Sequence, residues 1–230
     1  MKKTHSLHFV AVILLLSCIF PMGAEAWHDE IHVAIAKAAG YSKWFNAAAA
    51  DIIKVKAGDV EYSNHFVNNP PGTVVDAKMV IRQAKRYNTP EEKGHLYGAI
   101  IASLRDFAED KKKGKYGQYH LAFSAHYVGD LSQPLHNIIY SPYNKKFHLQ
   151  TDGLLQNEIF DHPEKITLHP ITIKSENDLA REVARIANLS IQKGYQLEKE
   201  NRLMTREEAY ECISRSASLF KAILDYSDSF

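Results

Sequence analysis

Two fragments of this chain concentrate side chains that bind cations. The run His126-Tyr-Val-Gly-Asp130-Leu-Ser-Gln-Pro-Leu-His136 holds two histidines around an aspartate, and FHLQTD then repeats the His-x3-Asp spacing with His148 and Asp152. Residues four apart on a helix share a face, so each pair can aim an imidazole nitrogen and a carboxylate oxygen at one point. One such pair is ordinary on a helix surface. Two of them with His136 between predict a metal site, and mixed nitrogen and oxygen donors suit zinc at about 2.0–2.2 Å per bond. Gly129 lets a neighbouring group approach the helix closely, at roughly 1 kcal/mol against Ala.

Two further segments offer donors. Asp59 and His65 lie in AGDVEYSNHF; alone they would read as an Asx turn and a loop histidine, and they gain weight because the downstream cluster needs partners. Residues 1–26 have the layout of an export signal: Lys2 and Lys3, an apolar run over 9–20, and the processing site Ala24-Glu25-Ala26. Cleavage there would leave 204 of the 230 residues, beginning at Trp27. Its freed α-amine and carbonyl oxygen could chelate a cation with His32. The amine's reference pKa of roughly 7.7–8.0 allows that near neutrality.

Helices must position these groups, because helical signals are dense and strand signals sparse. Ile31, Ala34, Ile35 and Ala38 form a stripe at helical spacing that stops at Gly40. Further helices are expected over 47–56, 74–87, 90–113 (capped by Thr89 with Pro90 first), 118–132, 175–193 and 205–226. The last opens with the capping box Thr205-Arg-Glu-Glu208. Residues 138–170, with Pro142, Gly153, Pro163 and Pro170, are expected to form a long irregular region. The expectation is an all-α, single multi-helix domain over 27–230.

Composition excludes several classes. Lys and Arg total 28 against 27 Asp and Glu, and the processed chain is balanced, so no strongly basic nucleic-acid surface is indicated. No apolar run after residue 26 is long enough for a transmembrane anchor. Cys18 would leave with the signal, which leaves Cys212 alone and no intrachain disulfide. The expected product is an exported monomer, periplasmic or secreted, stabilised by packing and metal. His28, His95, His120, His162 and His169 fall outside the ligand pattern and read as surface or structural.

Taken together, Trp27 with His32, Asp59 with His65, the H-x3-D-x5-H run over His126, Asp130 and His136, and His148 with Asp152 resemble the ligand set of the zinc-dependent phospholipase C / S1–P1 nuclease family. The resemblance extends from residue 27 to about 152. It implies an all-α fold holding three zinc ions: Asp59, His65, His126 and Asp130 on the first, His136, His148 and Asp152 on the second, and Trp27 and His32 on the third, with Asp130 bridging third and first. It also implies a phosphodiester hydrolase in which the ions acidify a water toward a pKa of about 7 and neutralise charge on phosphate. Asp59 is a candidate catalytic base.

The substrate is a phospholipid head-group ester in one branch of that family and a single-stranded nucleic acid or nucleotide in the other. Asp152 and the Trp-x4-His spacing resemble the nuclease branch. Glu30 resembles a carboxylate placed against choline, and NHFVNNPPG resembles the phospholipase loop. Phe66 could stack on a base, worth roughly 1–3 kcal/mol, or wall a head-group pocket. Val60 replaces an aromatic, and the interval from Asp59 to His65 is shorter than in either branch. The balance leans to the phospholipase side, with peripheral membrane contact. An exported zinc-binding protein without catalysis is the reading from another class.

Overall fold

The computed structural model describes residues 27–57 and 59–230, the side chains of residues 54–57 and 59 excepted; the expected export signal, 1–26, lies outside the described residues. Regular structure is helical, with no strand among the described residues. None of the described helices is long and apolar enough to cross a membrane.

Helix α1 (Asp29–Ala38) has Asp29 and Glu30 at its positive end and Lys37 at its negative end, which favours it electrostatically. A 3-10 turn (Trp44–Ala48) leads to α2 (Ala49–Ala57) and the short α3 (Asp59–Tyr62). Helix α4 (Ala77–Gln83) is capped by Asp76, whose carboxylate accepts from the Met79 N–H at 2.7 Å. Helices α5 (Leu96–Lys112) and α6 (Gln118–Ser132) follow. Then come a 3-10 turn (Pro134–Asn137), α7 (Pro142–Asp152), α8 (Glu176–Glu200) and α9 (Arg206–Ser227).

Helix α6 is the axis of the fold and packs against α1, α2, α5, α8 and α9. Its residues from Ala125 to Ser132 are all buried. A helix buried all round must satisfy each polar side chain within the protein. One apolar cluster, including Tyr97, Ile100, Tyr127 and Phe220, lies around α5, α6, α8 and α9. A second, with Trp27, Ile31, Leu135, Leu155 and Ile213, joins α1 and the 134–159 region to α9. Crossing α4, α5 has Gly98 at the contact, where a Cβ would stand 2.1 Å from the Gln83 carbonyl carbon.

Two expectations about elements are corrected. The helix expected from residue 90 begins only at Leu96. Residues 88–95 are instead bonded to the segment around His65: Glu91 N–H donates to Ser63 Oγ at 2.8 Å and His95 N–H to the Ser63 carbonyl at 2.9 Å. Gly94, at φ +69°, lies against the Phe66 backbone, a conformation the helix would forbid. These long-range bonds outweigh the local helix signal of Thr89 and Pro90. The region 138–170 is also not wholly irregular, since Ser141 caps α7 and Pro142 occupies its first turn. A proline that reads as a breaker here starts a helix.

Candidate metal centre

Helix α6 supplies the middle of the site. His126 and Asp130, one turn apart, are fully buried, and three other segments bring donors to them. His126 Nε2 lies 3.5 Å from Asp130 Oδ2 and 3.6 Å from Asp51 Oδ1 on α2. His65 Nδ1, after α3, is 2.9 Å from Asp130 Oδ2, and His32 Nε2 on α1 is 3.5 Å from Asp130 Oδ1. The two oxygens of Asp130 thus face different partners. On α7, His148 Nε2 is 3.4 Å from Asp152 Oδ2, and the His136 and His148 rings stack at 4.9 Å.

Three groups result in which the donor atoms all lie within 4.8 Å of one another: His65 with His126 and Asp130; His136 with His148 and Asp152; and His32 with Asp51 and His126. Separations of 3.4–3.6 Å exceed a full hydrogen bond. They match the spacing of two donors on a tetrahedral zinc, about 3.3–3.5 Å for bonds of about 2.0–2.2 Å. These buried groups could hold metal ions.

The neighbours of these rings decide which nitrogen faces inward. His126 Nδ1–H donates to the Ala47 carbonyl at 2.9 Å, and His136 Nδ1–H to the His65 carbonyl at 2.6 Å. A carbonyl only accepts, so each Nδ1 carries the proton and each Nε2 is left as a donor of electrons. His148 Nδ1–H reaches Asn144 Oδ1 at 2.7 Å, while Asn144 Nδ2 is spent on the Leu135 and Ile139 carbonyls. Gln133 caps the 3-10 turn with its side-chain oxygen and donates its amide N–H to Asp152 Oδ1. Tyr127 donates to Glu61 at 2.6 Å; burial pushes its phenol well above the usual range, so it stays protonated beside that carboxylate.

Gly129 does what its position implies. The His32 ring lies over it, where a Cβ would stand 2.4 Å from Nδ1, and that ring also stacks on His126 at 3.6 Å.

Of the residues expected to be ligands, His32, His65, His126, Asp130, His136, His148 and Asp152 come together in these groups. Trp27 is buried in the second apolar cluster, and the next residue's N–H bonds to the Asp152 carbonyl at 3.3 Å. The side chain of Asp59 lies outside the described residues, and the carboxylate that meets His126 is that of Asp51. Asp51 and Glu61 are the residues sequence reasoning missed. The sequence carries no signal for Asp51, whose place is set by packing: it stands four residues after Ala47, in an alanine-rich segment that lies against α6. One segment therefore anchors His126 at Nδ1 and faces it at Nε2.

A cleft of about 490 Å³ opens beside the groups and is lined by His65, His136 and His148. Tyr62, Phe66 and Tyr140 form its aromatic wall, and Asn68, Glu91 and Glu92 its polar one. Tyr62 and Phe66 are 5.1 Å apart. Glu30 is exposed and does not line the cleft, because two residues on a helix turn it roughly 200° from inward-facing His32. Of the histidines outside the pattern, His95 is fully buried and bonds to Asn64 Oδ1 at 2.9 Å.

Scanned against protein-family models, curated proteins and solved structures, the chain matches none.

Proposed function

We propose that this chain is an exported zinc hydrolase of phosphoric diesters, built on the plan of the phospholipase C / S1–P1 nuclease family and acting on phospholipid head-group esters. One observation carries the reading. Three His/Asp groups, two of them sharing His126, lie together, and three of their histidines line one open cleft.

The donor set fits zinc: His126, His136 and His148 are fixed by acceptors at Nδ1, Asp152 accepts from Gln133, and the separations of 3.4–3.6 Å are of tetrahedral size. Asp51, His65, His126 and Asp130 would hold one ion, and His136, His148 and Asp152 a second. Trp27, through its carbonyl and the amine freed by removal of residues 1–26, would hold a third with His32 and share Asp130. Zinc held in this way supplies Lewis acidity, lowering the pKa of a water toward about 7 and offsetting charge on phosphate oxygens. The chain's own part is to fix Nε2 of His126, His136 and His148 and to present the two oxygens of Asp130 in different directions. The cleft admits the ester and holds its organic part against Tyr62, Phe66 and Tyr140.

The wall favours a cationic head group. Aromatic faces attract a quaternary ammonium, by about 0.5–2 kcal/mol according to desolvation. The carboxylates available beside them are Glu91 and Glu92 rather than Glu30, and no Lys or Arg lines the cleft among the described residues. A polyanionic strand would meet Glu91 and Glu92. The nuclease reading draws on one feature, Phe66 beside the amide of Asn68, which together could stack on and hydrogen-bond a base.

Hydrolysis of bis-p-nitrophenyl phosphate, lost with a chelator and restored by zinc, tests the class. Full zinc without turnover would make the chain a binding protein. Parallel assays on phosphatidylcholine and single-stranded DNA test the substrate: the lipid should be preferred, and faster cleavage of DNA would reverse that choice.

A further inference from the structure

We infer that Glu61 is a positioning residue for His65, its buried carboxylate facing Nε2 of that imidazole and favouring the proton there, so that Nδ1, not Nε2, is the nitrogen offered to the cation. The inference rests on the metal-centre reading above and concerns the one ring that departs from the pattern of its neighbours. His126, His136 and His148 each spend Nδ1 on an acceptor and turn Nε2 inward. His65 is reversed. Its Nδ1 faces the ligand carboxylates, 2.9 Å from Asp130 Oδ2 and 3.9 Å from Asp51 Oδ1, while its Nε2 faces Glu61 Oε1 at 3.5 Å.

Glu61 is only 4% exposed, and a carboxylate so buried persists only with donors around it. Two neighbours of the ligands supply them. Tyr127 O–H donates to Oε1 at 2.6 Å, and Asn64 Nδ2–H donates to Oε2 at 2.9 Å. Tyr127 directly follows the ligand His126, and Asn64 directly precedes His65. The carboxylate is therefore tied to the chain beside two ligands at once. Asn64 is fixed in turn, since its Oδ1 lies 2.9 Å from His95 Nε2 and 3.2 Å from the Asn88 N–H.

An anionic group facing the far nitrogen favours the tautomer protonated there and raises the basicity of the coordinating nitrogen. Groups in this position typically alter metal affinity 10–100-fold, roughly, when removed. Glu61 also adds a second buried carboxylate, after Asp130, next to His65. The group around His136 is anchored by the amides of Gln133 and Asn144 and by the His65 carbonyl.

The test uses the chain beginning at Trp27 and needs no turnover. Zinc is titrated against a chromophoric chelator in the wild type, in Glu61→Gln and in Tyr127→Phe. In Glu61→Gln one ion should weaken by roughly 10–100-fold while the others are kept, and Tyr127→Phe should weaken the same ion less. Long-range nitrogen–proton correlation spectra of the zinc-loaded wild type should show His65 protonated at Nε2, and His126, His136 and His148 protonated at Nδ1. This second readout decides the matter even where Glu61→Gln does not fold. Metal on His65 Nε2, or unchanged affinities in a folded Glu61→Gln, would overturn the role of Glu61 alone. A wild type that takes up no zinc would overturn the metal-centre reading and this inference with it.

Discussion

The groups around His126 and His148 are made from the same pair of residues at the same spacing, yet they are built differently. His148 is braced by Asn144, one turn earlier on its own helix, and its carboxylate partner Asp152 lies one turn later. His136 and His148 line the cleft. His126 has a brace from a carbonyl 79 residues away in sequence, and its neighbours come from α1, α2 and the segment after α3. Neither His126 nor Asp130 lines the cleft. The His148–Asp152 pair is braced within one helix and its group opens on the cleft through two rings, whereas the α6 group is assembled from distant segments and is closed except at His65. Closure by several carboxylates suits a tightly held ion that supports folding, and openness suits a position that substrate can reach.

Removing the shared ligand should break this contrast most severely. Asp130→Ala takes away the oxygens facing both His126 and His32, so zinc should be lost from the closed group. A ligand at 1,000 times its Kd stabilises by about 4 kcal/mol, and calorimetry with and without chelator should show a loss of that order per ion. If Asp130→Ala unfolds at the wild-type temperature in zinc, the structural role of the closed group falls. Gly129→Ala should come next. Its Cβ would collide with His32, costing about 1–3 kcal/mol by overpacking and displacing the ring from Asp130. A normal melting temperature and zinc content would contradict the close approach.

Asn144→Ala sharpens the comparison from the other side. It should lower affinity at the open group by roughly 10–100-fold and cost about 1–3 kcal/mol of stability with or without zinc, through the Leu135 and Ile139 carbonyls that lose their donor. Equal loss at both groups would show that they are not separate.

The smallest effect lies away from both, between α8 and α9. There the Arg202 guanidinium, bonded to Glu208 at 2.8 and 2.9 Å, holds the Glu208 carboxyl at about 2, with help from the Thr205 N–H and Lys193 against the opposing effect of burial. A folded-state value below the ordinary 4.5 stabilises above pH 4.5, and that stability is lost as the pH falls toward 2. Glu208→Gln should flatten that limb of the stability curve, cost about 1 kcal/mol at neutral pH through the lost pairing with Arg202, and leave zinc content alone. An unchanged acid limb would argue against the Arg202 pairing.

The contrast between the two groups also marks what could be read from the sequence. Helical spacing was enough for His126 with Asp130 and for His148 with Asp152, because each pair is fixed by one helix. The close approach at Gly129 was legible for the same reason. Asp51 and Glu61 were not, since their roles depend on how α2 and α3 pack against α6, and nothing in ADIIK or VEYS states a partner. Glu30 was misjudged because position in the chain was read without the helix face it occupies. Residues 90–95 read as helix in the sequence because Thr89 and Pro90 are good local signals, while the Ser63 and Asn64 bonds that override them come from a distant segment.

The central claim is that these buried histidines and aspartates enclose zinc. Anomalous X-ray scattering at the zinc absorption edge, from crystals of the chain beginning at Trp27, tests it most directly. The account predicts three peaks, each about 2.0–2.2 Å from its donor atoms, with one between His65 Nδ1, His126 Nε2, Asp51 and Asp130. A map without zinc peaks at these side chains would contradict it.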